Sequence, residues 1–238
     1  MYSGLKIEPP FFEIGPKAYL YGRALLELAQ HADKLSVKYD VRIVFTPQYV
    51  DIPLLARETG HILVFAQHMD SLKVGRGIGS VLPEAIKEAG AVGTLLNHAE
   101  KKLALAEIER TIQRADEVGL ATMVCADNEK EAVQIAKMGP NVILVEAPGL
   151  IESGNRTTDD DKEIKRVNRR VAEINSKILV LHGGGISTAR DVYDIVKFGA
   201  EGTGSTSGVI LADDPLKKLE EMIIAMRRAW DETHNNGV

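Results

Sequence analysis

The sequence predicts an α/β fold, a single (β/α)8 barrel spanning residues 1–238. Three observations predict it. Short apolar or β-branched runs recur, each shorter than a helix needs and near-continuously apolar, as strands buried on both faces are. Amphipathic helical patterns separate them. The alternation occurs eight times in about 225 residues, the length of a barrel with little decoration. An open, doubly wound sheet is the alternative, but no G-x-G-x-x-G follows the first run.

The predicted strands lie near Phe11–Ile14, Arg42–Thr46, Leu63–Ala66, Gly93–Leu96, Ala121–Cys125, Val142–Val145, Lys177–Leu181 and Gly202–Ser205. Between the first two, Arg23–Tyr39 carries Leu25, Leu26, Leu28, Ala29 and Ala32 at helical spacing. Shorter helices are expected near Asp51–Thr59 and Ser80–Ala89. Ala104–Val118 ends before Gly119, a C-cap signal. Asn128–Met138 ends before Gly139-Pro140, a helix stop. Asp160–Ser176 is highly charged, with Ile164, Val167, Val171 and Ile174 on one face. Thr188–Phe198 and Pro215–Thr233 complete the set, and His234–Val238 is expected to fray.

Composition narrows the function. Hydrophobic residues make up 45% of the 238, enough for a sizeable core. The net charge of −5 argues against nucleic acid as the partner. No apolar stretch reaches the length of a membrane span, and no signal peptide is evident. The one cysteine, Cys125, sits in an apolar run and reads as a buried structural thiol. A cytoplasmic location is the expectation.

In a barrel of this kind the active site lies at the C-terminal ends of the strands. Strand four ends at Asn97-His98-Ala99-Glu100 and strand six at Glu146. An imidazole and a carboxylate at such exits suit proton transfer, though each could equally be a bonded rim residue. Lys17, after strand one, is either a surface lysine or an anchor for an anion. His68 and Asp70 could pair on a metal, but no third ligand is evident, and rim hydrogen bonding is the plainer reading. No metal and no cofactor are expected. Strand seven runs into Gly183-Gly184-Gly185-Ile186-Ser187-Thr188, and strand eight into Ser205-Thr206-Ser207-Gly208. Adjacent glycines and a helix N-terminus suit a phosphate.

These segments resemble the triosephosphate isomerase family, most closely its compact archaeal type. The matching pieces are Thr46-Pro47-Gln48-Tyr49-Val50-Asp51, Phe65-Ala66-Gln67-His68-Met69-Asp70, Gly90 through Glu100, Val124-Cys125, Glu146-x-Pro148-x-Leu150-Ile151-x-Ser153-Gly154, and Gly184-Gly185-Ile186-Ser187-Thr188, in family order. The resemblance implies a TIM barrel and a glycolytic aldose–ketose isomerase acting on glyceraldehyde 3-phosphate and dihydroxyacetone phosphate. It implies that Glu146 is the base, His98 the electrophile, Lys17 the anion holder and Glu100 a support. It gives Gly185, Ser187, Ser207 and Gly208 to the phosphate. It makes Ala147, Pro148, Ile151, Glu152, Ser153 and Gly154 a closing lid. A homodimer or homotetramer is implied as well.

Three positions depart from the family pattern. Asn-x-Lys after strand one is Gly15-Pro16-Lys17 here, which removes an amide from the substrate's carbonyl side and leaves space in the substrate-binding part. The lid's Ile-Gly-Thr-Gly is Ile151-Glu152-Ser153-Gly154, and the serine after the catalytic histidine is Ala99. Space at Gly15 suggests a tetrose or branched sugar phosphate as an alternative substrate. A phosphate-binding aldolase or synthase, and a non-catalytic phosphate sensor, are further readings.

Overall fold

The computed structural model describes residues 1–146 and 158–234, the side chains of 158–161 excepted. The strands are β1 (Phe11–Ile14), β2 (Arg42–Phe45), β3 (Leu63–Ala66), β4 (Gly93–Leu96), β5 (Ala121–Ala126), β6 (Val142–Val145), β7 (Leu179–His182) and β8 (Gly202–Gly204). They close in chain order into a barrel, and every neighbouring pair is parallel. Among the described residues the helices are α1 (Gly22–Tyr39), α2 (Ile52–Glu58), α3 (Pro83–Glu88), α4 (Leu105–Val118), α5 (Glu129–Ala136), α6 (Thr158–Ile174), α7 (Ala189–Lys197), α8 (Ser207–Ile210) and α9 (Pro215–His234).

Strand alternation sorts the apolar residues into two cores. Phe12, Ile14, Ile43 and Phe45 face outward and pack with α1 residues such as Leu25, Leu28 and Ala32. Phe11, Val44, Phe65, Leu95, Met123, Cys125, Leu144 and Leu181 fill the barrel interior. Two glycines make that filling possible. A Cβ at Gly93 would lie 2.4 Å from Phe65, and one at Gly202 would lie 2.5 Å from Phe11.

The boundaries differ from the sequence reading where local side chains intervene. β7 starts at Leu179 rather than Lys177, because Asn175 caps a turn: its carboxamide accepts from the Lys177 N–H at 3.0 Å and its carbonyl from Ile178 at 3.1 Å. α3 starts at Pro83 rather than Ser80. Asp70 holds the preceding residue in an extended pairing, taking the Val81 N–H at 2.7 Å and donating its own N–H to the Val81 carbonyl. Proline then opens the helix, where its missing N–H costs nothing. α8 has no counterpart among the helices expected from sequence; four residues are too few to show a helical period. Gly119 caps α4 with φ of 78°, as its residue type predicts.

Candidate active site

A cavity of about 300 Å³ opens at the C-terminal end of the barrel. Gly15, Lys17, His98, Glu100 and Glu146 all line it. Glu146 follows β6 in phase with Leu144 and Val142, which face the interior, so alternation carries its carboxyl inward. Gly183 allows this approach, since a Cβ there would come within 3.1 Å of Glu146 Oε1. Burial pushes the Glu146 carboxyl above its ordinary range, while Lys17 and the Gly184 backbone amide pull it partly back.

His98 reaches the cavity by a backbone device. Alternation from Leu95 would point residue 97 inward and residue 98 away. Asn97 breaks it with φ of 59°, a left-handed conformation that asparagine tolerates. The Asn97 amide donates to the Cys125 carbonyl at 2.9 Å and to Glu131 at 3.0 Å, and its Oδ1 accepts from the Leu103 N–H at 2.9 Å. The loop is fixed from both sides, with His98 directed at the cavity.

The Glu100 backbone N–H donates to His98 Nδ1 at 3.1 Å. A neutral imidazole that accepts at Nδ1 carries its proton on Nε2. Burial, helped by nearby Lys17, holds the ring's pKa below the ordinary value, so the neutral form is favoured. The histidine is thereby set up as a neutral N–H donor.

Lys17 sits at φ of 47°, a strained conformation for a lysine that costs about 1–3 kcal/mol. Two glutamine amides offset it by holding its carbonyl, Gln48 at 3.0 Å and Gln67 at 2.9 Å. The Lys17 ammonium donates to Glu100 Oε1 at 2.7 Å, which keeps the Glu100 carboxyl low. A phosphate or enediolate would compete for that ammonium.

The four residues expected at the phosphate do not line the cavity; they follow Gly183 and Thr206, which do. Gly184 and Gly185 have φ of 83° and 69°, as a tight glycine turn requires. A Cβ at Gly208 would lie 2.7 Å from both the Ile186 carbonyl and Ser187 Cα, so the loops after β7 and β8 meet at bare backbone. Ser205 Oγ donates to the Ile186 carbonyl at 2.7 Å and ties them together. The Ser187 N–H and Thr188 N–H both donate to Asp191, at 3.0 and 2.8 Å, in a capping box at the start of α7. Ser187 is therefore less free to serve an anion than its sequence position suggests. Ala147, Pro148, Ile151, Glu152, Ser153 and Gly154 lie outside the described residues.

His68 Nε2 pairs with Asp70 Oδ1 at 3.1 Å, a rim hydrogen bond, and among the described residues no third ligand joins them. Cys125 is buried in the interior, and burial raises its thiol well above the ordinary value, which makes it a poor nucleophile.

Reading only strand exits missed one residue. Glu13 lies within β1, in phase with inward Phe11, 8% exposed, and lines the same cavity. An acidic residue inside a strand buried on both faces was the available signal. Burial pushes its carboxyl up to about 7; the Thr46 hydroxyl lowers it, Glu146 raises it and Lys17 lowers it. The pKa is raised in the fold, so between 4.5 and about 7 the folded protein holds a proton that the unfolded chain has lost. Stability from this residue is full below 4.5 and declines as pH rises through about 7, by about 3 kcal/mol. Glu13→Gln removes that decline. Urea midpoints of the two proteins should coincide more closely at acid pH and separate above neutrality, with the variant the more stable.

A triosephosphate isomerase family model matches residues 17–223, beginning just after Glu13 and Gly15. Similar proteins include the triosephosphate isomerase of Methanobacterium bryantii, 40% identical over 91% of this chain and 96% of that one. Those of Sulfurisphaera tokodaii and Methanosarcina barkeri are each 38% identical, over 94% and 90% of this chain and 99% and 97% of theirs. Together with the closed eight-stranded barrel, this match over most of the chain means that the protein belongs to the triosephosphate isomerase family.

Proposed function

We propose that this chain, as one barrel domain, interconverts glyceraldehyde 3-phosphate and dihydroxyacetone phosphate. The single observation that carries the reading is the convergence of Glu146, neutral His98 and Lys17 on one cavity. Glu146 takes the proton from the carbon beside the carbonyl and returns it to the neighbouring carbon. His98 Nε2–H donates to the oxygen that gains charge as the enediolate forms. Lys17, supported by Glu100, attracts the dianion. Gly185, Ser207 and Gly208 hold the phosphate with backbone N–H groups, and Ser187, whose N–H and hydroxyl are engaged by Asp191, contributes once it is released from that carboxylate. Ala147 through Gly154 close over the site and exclude water, which protects the enediolate. A coupled assay with purified protein and glyceraldehyde 3-phosphate tests this directly, with rapid turnover expected.

The tetrose or branched-sugar alternative rested on open space at Gly15. A Cβ on residue 15 would lie 2.8 Å from Glu13 Oε1, so Glu13 already occupies that space. This favours the triose.

Self-association is part of the same reading. Tyr21, Val50, Val74 and Ile78 are large, strongly exposed apolar residues on the loops after β1, β2 and β3. Covering them in a dimer or tetramer removes apolar surface from water. Sedimentation velocity should show an oligomer, and Val74→Lys with Ile78→Lys should shift it toward monomer. A reducing, cytoplasmic setting fits the lone buried cysteine; no described helix is long and apolar enough to cross a membrane.

A further inference from the structure

We propose that Glu13 is a further catalytic residue, whose protonated carboxyl donates a hydrogen bond to the substrate oxygen that becomes the enediolate oxyanion, from the place a side chain on residue 15 would fill. The proposal rests on the isomerase reading above.

The geometry comes from the carboxyl's two oxygens. Oε1 accepts from the Thr46 hydroxyl at 2.9 Å. The same hydroxyl also reaches the Ile14 carbonyl at 3.4 Å. The Thr46 contact fixes the rotamer, and with Thr46 donating to Oε1 the proton of the acid sits on Oε2. Among the described residues Oε2 has no hydrogen-bond partner, while Glu13 lines the cavity with Glu146, His98 and Lys17. Its donor is thus free for a ligand.

Gly15 makes room for this carboxyl, and Gly204 lies against its backbone. At Gly15 a Cβ would lie 2.8 Å from Oε1, and at Gly204 a Cβ would lie 3.0 Å from Oε2 and 2.6 Å from the Glu13 carbonyl. A side chain at 15 and the carboxyl at 13 compete for one volume, whereas a side chain at 204 would first meet the Glu13 backbone. The chain has resolved this in favour of the acid.

Burial and the charge environment favour the donor form of the acid below about pH 7. Facing Glu13 are the Glu146 carboxyl from β6, the Lys17 ammonium after β1, and the Cys125 thiol on β5. Burial and Glu146 favour the proton on Glu13; Lys17 opposes it. A catalytic Glu146 carboxylate and a Glu13 acid then form an unlike pair, one accepting a proton and one donating a hydrogen bond. No proton leaves Glu13 during the reaction, so the proton balance at Glu146 is unchanged. Above neutrality Glu13 ionises, the donor is lost, and a second carboxylate faces the enediolate.

The test compares wild type, Glu13→Gln, Glu13→Ala and Glu13→Ala/Gly15→Asn on glyceraldehyde 3-phosphate, with kcat and KM followed from below to above neutral pH. Glu13→Ala should lose kcat by about 10²-fold, the scale of one lost oxyanion donor, with KM little changed. Glu13→Gln keeps a donor that does not ionise, so it should retain activity and lose the alkaline fall of the wild type. Asn at 15 should recover part of the Glu13→Ala loss. Wild-type kcat in Glu13→Ala, a wild-type alkaline limb in Glu13→Gln, or a double variant no better than Glu13→Ala overturns the proposal. An inactive wild-type protein overturns the isomerase reading instead.

Discussion

Glu146→Gln is expected to lower kcat by about 10²–10⁴-fold, the range for a positioned general base, while KM changes little. The substitution keeps the shape and removes only the ability to accept a proton. The carboxyl is well prepared for the task. Burial beside Gly183 raises its pKa above the ordinary 4.5, which makes it a stronger base when ionised. The sign of the pH dependence follows. Activity requires the carboxylate, so kcat/KM should fall on the acid side, and the fall should begin above the pH at which an ordinary glutamate titrates. A limb at or below that value would mean that some other group is the base. The loss in Glu146→Gln should be measured with circular dichroism alongside, since a buried amide retains the fold.

His98→Ala is expected to cost about 10²–10³-fold in kcat, the magnitude found for a single donor to a developing oxyanion. The imidazole's value lies in its tautomer. The Glu100 N–H occupies Nδ1, so Nε2 must present the proton. The lowered pKa keeps the ring neutral at physiological pH. As burial favours the neutral ring, its removal should scale activity down without moving the acid limb set by Glu146. That separates its contribution from that of the base. A His98→Ala protein with a displaced acid limb would show that the ring is itself the titrating group.

The barrel was legible because its strands are buried on both faces. Runs such as Val142–Val145 and Ala121–Cys125 have no polar side to hide, so they stand out against the charged helices. Helix ends were legible where a residue type forces the backbone, as Gly119 does. Element starts were not legible where a side chain elsewhere decides them, as Asn175 does for strand β7 and Asp70 for helix α3. The site shows the same division. Glu146, His98 and Lys17 are strand-exit residues, and the fold brings such residues together. Glu13 sits inside a strand, where an acidic residue reads as an anomaly until its partner Thr46 and the vacated positions at Gly15 and Gly204 are seen in space. At Gly15 the sequence shows a missing side chain, and in space the Glu13 carboxyl stands beside that position. The phosphate rim is intermediate, since the glycines gave the turn but not the Asp191 carboxylate that engages Ser187.

The most direct test of the account is solvent deuterium exchange at the carbon beside the carbonyl, followed by NMR with dihydroxyacetone phosphate, wild-type protein and Glu146→Gln. The account predicts that the wild type introduces deuterium at that carbon during turnover and that Glu146→Gln slows the exchange in proportion to its loss of kcat. Exchange at the wild-type rate in Glu146→Gln would contradict it.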